Sequence, residues 1–532
     1  MPLTIFNWLL AIAPVAIILV LMLGLHWGGS KAGAIGWFLA ILIAVLHFGS
    51  NARLIAYTQV KAVLLTLDVL YIIWTALLLY HTAEEAGAIR IIGQQLPALT
   101  ADKLMQGLLL GWLFASFLQG MGGFGVPVAV TAPLLVGLGF NPIQAVIMAC
   151  IGHGWAVNFG SLATSFNTLM AVTGLPGEVL APEAAILLGI ACLGSGAIVA
   201  YVAAGWKGML RALPGVVILT AIMGTVQYLL ATNGMWTIGA TGAALTGLAA
   251  GVFVARWPLY RNARRDEHVA GIGSAEPEAA LADPPDDGKK RSLAVSMSAY
   301  AVLVVLAFAL SLIKPLAVLM DTVQLNLAFP ELATPYWVTP AGPGRSVSIF
   351  GHTGATLLYA SLIAYVVYSK AGYYEPGALG RILNRVVRGA VNSSLGIAAM
   401  VGMAVIMSHT GMTHILARGL SESVGRAAYP VVAPFIGALG AFITGSNNNS
   451  NVLFAQLQQQ TADLLGLSVP LILAAQTAGG SLGSVLAPAK VIVGCSTVGL
   501  GDQEGVVMGR MMLYGLIPVM VVAVLTLVLA FR

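Results

Sequence analysis

The sequence predicts an all-α polytopic membrane protein built from two inverted repeats that carry broken or re-entrant helices. Two observations lead to this prediction. The chain of 532 residues is 58% hydrophobic and only 8% charged, with a mean hydropathy of +0.91, whereas soluble domains carry roughly 25% charged residues. In addition, one apolar segment in each half of the chain is interrupted by a short run of glycine or polar residues.

Apolar segments long enough to cross a bilayer follow one another along the chain, because a spanning helix needs about 20 mostly apolar residues. Continuous segments lie near 8–25, 33–49, 60–82, 183–204, 214–231, 236–255, 293–313, 348–368, 392–408 and 508–530. Interrupted or shorter segments lie at 104–138, 142–170, 428–466 and 470–495. Together they predict roughly 12 to 14 passages plus re-entrant pieces. Because no basic region precedes the first segment, we expect it to be retained and not cleaved as a signal peptide.

The two interruptions lie at 117–142 and 442–470, and they share one layout. The first contains the glycine-rich stretch 120–125 and the second the polar stretch 446–451, after which each helix resumes for about three turns. Hydrocarbon cannot satisfy the backbone groups of a broken helix, so such breaks occur where protein surrounds them or where they line a cavity. A pair of breaks in corresponding positions of two halves is typical of the substrate site of a secondary transporter.

A polar stretch divides the chain in two. Residues 256–292 carry basic residues at both ends and an acidic, proline-containing middle, which is typical of a disordered linker. We therefore expect a first membrane half at 1–255 and a second at 293–532. The basic residues predict a cytoplasmic linker by the positive-inside rule, and we expect a basic amphipathic segment around 381–388 to lie along the same membrane face. The net charge of +5 is dispersed over short loops, which argues against a nucleic-acid partner.

Candidate ligand-binding residues cluster at the second break. Six consecutive uncharged hydrogen-bonding side chains stand there in apolar sequence: Ser446, Asn447, Asn448, Asn449, Ser450 and Asn451. A buried polar group without a partner costs about 1–3 kcal/mol, so we expect a polar ligand to face them. The N-terminus of a helix also attracts anions. Capping of the resumed helix is the alternative explanation, although six such residues exceed what a cap needs.

The first break offers bare backbone in place of polar side chains. Its candidate residues are Gly120, Gly122, Gly123, Phe124 and Gly125. Glycine allows positive φ angles and a close approach of a ligand to main-chain amides. Tight helix packing through small residues is the alternative, and the presence of the second break favours a binding role.

Further polar residues lie within apolar segments, where they usually mark function. Candidates for the ligand pocket are Asn158, Ser161, Gln476, Thr477 and Lys490, and candidates for proton coupling are His153, Asp68 and His409. A plain interhelical hydrogen bond is the alternative for His153. Lys490 either offsets an anionic substrate, pairs with Asp68 or extends to the membrane interface. The three cysteines are far apart in sequence, so we expect no disulfide framework, metal site or cofactor.

The interrupted segments resemble a known family. Phe117–Phe140 and Thr444–Phe454, continued by Gln476–Gly480 and Ala487–Pro488, are similar to signature segments of the bacterial L-lactate permease family, which comprises lactate and glycolate permeases. The resemblance extends over nearly the whole chain. It implies proton-coupled symport of lactate, glycolate or a similar 2-hydroxymonocarboxylate across the bacterial inner membrane. It also implies the inverted repeats and mobile transport domain of the ion-transporter superfamily.

The chain departs from the usual pattern of this family at four positions. Members commonly carry an acid where this chain has Asn447, Pro-Gln-Ser where it has Pro488-Ala-Lys490, Asn at His153 and an uncharged residue at Asp68. We hypothesise that Asn447 and Lys490 make the pocket more positive than usual. This change would suit a more negative substrate or a tighter grip on a carboxylate.

The sequence therefore predicts a transporter and not an enzyme. We expect its partners to be a small organic anion, a proton and the lipid bilayer. Open alternatives are Na⁺ coupling, because carbonyl groups at broken helices bind Na⁺, and a different organic anion such as a dicarboxylate. An anion channel would need a ring of polar pore residues, and a membrane enzyme a nucleophile–base or metal arrangement; both are remote alternatives. Association into a homodimer also stays open.

Overall fold

The fold is taken from a computed structural model, which describes residues 1–532 with the exception of 24, 26, 96–99, 124, 262–291, 344–346 and 501–502. The predicted linker at 256–292 lies almost entirely outside the described residues, and so does the candidate residue Phe124. Helices make up nearly all of the regular structure, and many are long and apolar. This confirms the predicted all-α polytopic class.

Twelve of the described α-helices precede residues 262–291 and ten follow them; α12 lies inside the predicted linker. The first twelve are α1 (Ile5–Leu23), α2 (Gly29–Leu46), α3 (Ala52–Glu85), α4 (Ala88–Gln95), α5 (Lys103–Leu108), α6 (Ala115–Met121), α7 (Val126–Gly137), α8 (Pro142–Gly152), α9 (Thr164–Thr173), α10 (Gly177–Thr232), α11 (Gly239–Ala255) and α12 (Pro258–Arg261). The others are α13 (Leu293–Ser296), α14 (Ser298–Leu312), α15 (Lys314–Met320), α16 (Thr353–Lys370), α17 (Ala378–His409), α18 (Met412–Thr444), α19 (Asn447–Leu465), α20 (Val469–Ser484), α21 (Pro488–Thr497) and α22 (Glu504–Ala530). A π-helical turn, Leu109–Phe114, joins α5 to α6. The backbone leaves the helical conformation at Ala204 and Gly205 within α10 and at Gly425 within α18.

Ten spans of the described chain are long and apolar enough to cross a membrane. The count is below the predicted 12 to 14 for two reasons. The 56-residue helix α10 contains two of the predicted segments but counts as one span, and shorter pieces such as α7 and α14 do not reach spanning length. Burial divides the spans into two groups. In α1, α2 and α22 only 33% of the most apolar window is buried, compared with 94% in Lys103–Met121 and 89% in Val469–Thr497. The outer helices therefore present apolar side chains to lipid, whereas the interrupted helices lie in the interior, where breaks are tolerated.

The two predicted interruptions are present, and the same series of elements surrounds each of them. In the first part of the chain, α6, a break, α7, a tight turn, α8, a second break and α9 follow one another. In the second part, α18, α19, α20 and α21 are arranged in the same way, with breaks after α18 and α20. This shared order is the repeat that the sequence predicts. The inversion of one half relative to the other stays a prediction.

Local sequence explains where these helices stop and restart. The breaks contain glycines with positive φ, +89° at Gly125 and +72° at Gly445, a conformation that few other residues adopt without strain. At the tight turns, the side chains of Asn141 and Ser468 cap α8 and α20 by accepting hydrogen bonds from backbone N–H groups. Proline in the first turn then suits a helix start, because its missing N–H would have no intrahelical partner there.

A β-hairpin between α15 and α16 is absent from the sequence-based prediction. It consists of three short antiparallel pairs: β1 (Gln324–Leu325) with β6 (Val347–Ser348), β2 (Ala328–Phe329) with β5 (Gly342–Pro343), and β3 (Leu332–Ala333) with β4 (Val338–Thr339). The hairpin tip reaches the turn between α17 and α18, where the ring centroid of Trp337 lies 4.8 Å from that of His414. Strands of only two residues are too short to show an alternating apolar pattern that sequence analysis could detect.

The residues next to the linker lie at the end of the helices opposite the hairpin. The amide of Ser292 donates to the hydroxyl of Tyr373 (2.7 Å), so the end of the linker lies beside the loop between α16 and α17. Arg381 pairs there with Glu85 of α3 (2.6 Å). Because α14 and α16 lead from this end to the hairpin, the two ends lie on opposite sides. The basic segment around 381–388 forms the first turns of α17 and lies at the same end as Ser292; its placement on the cytoplasmic face stays a prediction.

Candidate functional site

The two parts of the chain meet at one hydroxyl group, that of Thr477 on α20. Its Oγ1 accepts hydrogen bonds from Nδ2 of Asn447 (3.1 Å) and Nδ2 of Asn451 (3.0 Å), and it donates to Oδ1 of Asn158 (2.6 Å). All four residues are buried, and we refer to them as the Thr477 cluster. Asn158 comes from the loop between α8 and α9, whereas the other three residues come from the second part of the chain. The cluster therefore joins the two parts.

A second pair of contacts strengthens this junction. Ser165 Oγ, at the start of α9, donates to Oδ1 of Asn448 (2.5 Å), and the Ser165 carbonyl accepts from Nδ2 of Asn451 (3.1 Å). Sequence analysis did not single out Ser165, because a serine in the first turn of a helix is common. Its partners become visible only when α9 packs against the start of α19.

Several buried polar atoms at the cluster have no hydrogen-bond partner among the described residues. They are Nδ2 of Asn158 and the Oδ1 atoms of Asn447 and Asn451; Oδ1 of Asn449, in the same first turn of α19, also lacks a partner. The side chain of Ser446, at the N-cap position, does not cap α19, so the first backbone N–H groups of this helix also lack a side-chain acceptor. Each unsatisfied buried group costs about 1–3 kcal/mol. Their concentration in one place is what a site for a polar ligand requires.

Two other predicted residues, Gln476 and Ser450, form hydrogen bonds between helices. Gln476 Nε2 donates to Ser450 Oγ (3.1 Å), and Gln476 Oε1 accepts from Nε2 of Gln458 (3.0 Å). Ser450 Oγ in turn donates to the carbonyl of Gly437 (2.7 Å). These bonds hold α18, α19 and α20 together behind the Thr477 cluster. The polar groups of Gln476 and Ser450 are thus already partnered.

The loop between α8 and α9 has an unusual backbone. Three consecutive residues other than glycine have positive φ: Ser161 (46°), Leu162 (60°) and Ala163 (61°). The amides of Ser161 and Leu162 donate to the carbonyls of Gln119 (2.7 Å) and Gly120 (3.1 Å), which holds the loop against the end of α6. Left-handed backbone costs an L-residue roughly 1–2 kcal/mol. Strain that the surroundings maintain is typical of functional regions, and the sequence carries no signal for it.

Two glycines of the first break serve close packing. A Cβ atom at Gly120 would lie 2.7 Å from Oγ1 of Thr241, and one at Gly122 would lie 2.8 Å from the ring of Tyr80. Neither distance can accommodate a side chain without movement of the neighbour. Here the structure agrees with the packing explanation that the sequence left open.

The other two glycines of the first break have different surroundings. A Cβ atom at Gly123 would overlap Oγ of Ser161, so this glycine touches the strained loop that also carries Asn158. At Gly125 the nearest side-chain atom is Cγ1 of Val493, 3.9 Å away, which leaves room beside the backbone. The first break therefore reaches the Thr477 cluster through the loop between α8 and α9.

Lys490 and His153 lie at the two remaining breaks. Lys490 is buried, its Nζ donates to Oγ of Ser484 (3.3 Å), and its charge acts on His153. His153 Nδ1 donates to the carbonyl of Ala149 (2.7 Å), while its buried Nε2 has no partner among the described residues. The ring is thus neutral, with a free nitrogen that can accept a proton. The alternative in which Lys490 pairs with Asp68 is wrong.

Asp68 and His409 each form a hydrogen bond with a different partner. Asp68 Oδ1 accepts from Nε2 of His352 (2.9 Å), and Nδ1 of His352 accepts from the amide of Gly354 (3.1 Å), so the His352 ring is neutral. His409 Nε2 accepts from Nζ of Lys61 (3.2 Å). Sequence analysis missed Lys61, although a lone lysine in an apolar helix is the same kind of signal as Asp68.

The chemistry of the site follows from these groups. The Thr477 cluster supplies uncharged donors and acceptors in a protein interior. The ammonium group of Lys490 bonds to Ser484, which lies about two helical turns farther along α20. Backbone amides and an Asn side chain can bind a carboxylate, and amide oxygens can accept from a hydroxyl group or hold Na⁺. In the described part of the chain, no group of three or more His, Cys, Asp or Glu residues could hold a metal ion.

Comparison with known proteins identifies relatives over nearly the full length. A family model described as L-lactate permease matches residues 7–531. The L-lactate permease of Salmonella typhimurium is 28% identical over 478 residues, which cover 87% of this chain and 84% of that protein. Glycolate permease GlcA of Escherichia coli is 27% identical over 545 residues, which cover 98% of this chain and 95% of that protein.

A search of solved structures finds the YdaH transporter of Alcanivorax borkumensis, which has a TM-score of 0.48 and 14% identity. The match covers 90% of this chain and 89% of that chain.

Proposed function

The chain belongs to the L-lactate permease family, and on that premise we propose that it is a secondary transporter of lactate, glycolate or a related 2-hydroxymonocarboxylate. Membership of this family makes it a permease and not an enzyme. Its relatives named L-lactate permease and glycolate permease support the substrate class. We further propose that it acts in the bacterial inner membrane, with two inverted halves joined by the linker at 256–292.

One observation carries the proposed site: buried, unpartnered polar atoms surround a hydroxyl group that both parts of the chain share. In our proposal, the carboxylate of the substrate accepts hydrogen bonds from Nδ2 of Asn158 and from the uncapped amides at the start of α19, where the helix dipole favours an anion. The 2-hydroxyl group donates to Oδ1 of Asn447 or Asn451. Such a ligand would satisfy donors and acceptors together, which a simple inorganic anion would not.

We propose that a proton accompanies the substrate and that His153 is the first candidate to carry it. The unpartnered Nε2 of His153 supports this role, because it is a nitrogen that can take up a proton. Burial and the positive charge of Lys490 oppose protonation of the ring, so in our proposal the proton arrives together with the anion. Asp68 and His409 stay candidates of lower rank, since the side chains that bind them lie away from the Thr477 cluster. Neutralising the anion lowers the free energy needed to move it through a low-dielectric interior.

Na⁺ coupling is the second candidate, and a specific observation favours it. Three Asn Oδ1 atoms near the start of α19 lack partners among the described residues, and such oxygens are ligands that Na⁺ accepts in broken-helix transporters. Uptake of labelled L-lactate into proteoliposomes, driven either by an imposed pH gradient or by an imposed Na⁺ gradient, separates the two. Stimulation by the pH gradient alone supports proton coupling.

Thr477→Val tests the site itself. Valine keeps the shape of threonine but removes one donor and two acceptor contacts, so we expect L-lactate uptake to fall at least about tenfold, given a net worth of about 1 kcal/mol per hydrogen bond. Thr526→Val is the matched control, because among the described residues the hydroxyl of buried Thr526 bonds only to the Val522 carbonyl of its own helix (2.7 Å). Equal uptake by the two variants, at equal amounts of folded protein, would contradict the proposed site.

A further inference from the structure

A second polar cavity lies beside the hairpin tip, away from the Thr477 cluster. Its volume is about 750 Å³, which is ample for a small organic acid. The lining includes Lys61 of α3, Thr173 at the end of α9, Thr339 of β4, His409 at the end of α17 and Gln456 of α19. The cavity therefore lies among several elements and is more than a groove on one helix.

Lys61 supplies the charge of this cavity. It is half-buried and is the only charged side chain among the described residues that line the cavity. Its Nζ donates to Nε2 of His409 (3.2 Å), and Nδ1 of His409 faces Oγ1 of Thr339 (3.0 Å). A histidine that accepts at Nε2 is neutral. Within the described part of the chain, no carboxylate lies within 4.0 Å of Lys61, so its positive charge is not offset.

One of the lining residues, Gln456, carries a polar atom without a partner. Gln456 donates through Nε2 to the carbonyl of Val172 (2.9 Å), but its buried Oε1 accepts no hydrogen bond from the described residues. The cavity thus combines a cation, held by a neutral histidine, with an unsatisfied acceptor. An anion that also carries a hydroxyl group matches both features.

The cavity and the Thr477 cluster are connected by the same two helices. From Ser165 to Thr173 along α9 is eight residues, and from Asn447 to Gln456 along α19 is nine, which correspond to roughly 12–14 Å at 1.5 Å per residue. The cavity lies at the hairpin end, opposite the residues next to the linker. By the positive-inside rule this is the outer side of the membrane.

We propose that this cavity is a second carboxylate-binding site, at which an anion from the outer side binds before it reaches the Thr477 cluster. The carboxylate pairs with Nζ of Lys61, and the hydroxyl group of a 2-hydroxy acid donates to Oε1 of Gln456. The choice of a 2-hydroxy acid rests on the proposed function, whereas the anion site rests on Lys61 and its surroundings. A positive charge in such a recess raises the local concentration of anions and so increases their rate of capture.

Binding stoichiometry tests the proposal directly. Isothermal titration calorimetry of the purified full chain in detergent with L-lactate should give two sites per chain. Lys61→Gln should lose one of them, and Lys61→Arg, the matched control, should keep both. Thr477→Val should lose the other site and retain the one that depends on Lys61. A single site in the wild-type chain, or an unchanged number of sites in Lys61→Gln, would overturn the proposal.

Transport kinetics supply a readout that a merely structural role of Lys61 would not change. In proteoliposomes, we expect Lys61→Gln to raise the KM for L-lactate at least about tenfold, because the substitution removes a hydrogen bond to a charged group. The kcat should be unchanged. Lys61→Arg should keep KM near the wild-type value. Absence of uptake in the wild-type chain would refute the proposed function, whereas uptake with a KM that Lys61→Gln does not alter would refute the second site.

Discussion

The position of a polar residue in this sequence does not reveal which partner it contacts. Asp68 and Lys490 are both charged residues in apolar segments, and each could have served the other as a partner. In the structure Asp68 meets His352, while Lys490 meets Ser484. The reason is spatial: α3 packs against α16, whereas Lys490 faces back toward the end of α20.

The Asp68–His352 contact leads to a prediction about stability. His352→Ala should lower the free energy of unfolding by about 1.5–3 kcal/mol, because it removes a hydrogen bond to a charged, buried group. Asp68→Asn should cost less, since an amide oxygen still accepts from Nε2. The pairwise interaction is measured by thermal or denaturant unfolding in detergent of His352→Ala, Asp68→Ala and the double variant, because each alanine substitution removes the contact. Strictly additive effects of the two substitutions would show that the pair does not interact.

At the scale of elements, the breaks are the features that position the site. Glycine and proline end or restart helices locally, so the interruptions at 117–142 and 442–470 can be found in the sequence. The left-handed run at 161–163 cannot, because its residues have no such preference. Its conformation is maintained by hydrogen bonds to the end of α6.

The strain in this loop leads to a prediction about the effect of a glycine substitution on stability. Ala163→Gly should raise the free energy of unfolding by up to about 1 kcal/mol, since glycine adopts positive φ without the penalty that alanine incurs. Ala145→Gly is the matched control within α8, and it should lower stability by roughly 0.5–1 kcal/mol because glycine weakens helix interiors. Both are measured by unfolding in detergent. If both substitutions destabilise to the same extent, Ala163 is not strained.

In the whole molecule, burial differs between the outer and the interrupted helices, and the two ends carry different elements. Helices that are one-third buried surround interrupted segments that are about nine-tenths buried, so the polar breaks are shielded from lipid. The hairpin marks one end, and the contacts of Ser292 and Arg381 mark the other. The cavity that contains Lys61 lies at the hairpin end, which gives the second site an outward orientation if the linker is cytoplasmic.

Cysteine labelling tests this sidedness. The native residues Cys150, Cys192 and Cys495 are buried and free, so their background reaction should be low. Tyr336→Cys, in the exposed hairpin tip, should react with a membrane-impermeant maleimide added to intact cells. Glu375→Cys, in the exposed loop between α16 and α17, should react only after the cells are made permeable. Reaction of both from the same side would contradict the opposite ends of the fold.

Much of the architecture could be predicted from the chain alone, because hydropathy and helix-breaking residues act over a few neighbouring positions. The membrane class, both main interruptions and the polar stretch at 446–451 follow from such local signals. The composition of the Thr477 cluster does not follow from local signals. Asn158 and Thr477 are 319 positions apart, and Lys61 and His409 are 348 apart, so only the packing of α3, α9, α17, α19 and α20 brings them together. Which buried polar atoms stay unsatisfied is likewise a property of the packed interior, since each depends on neighbours from several helices.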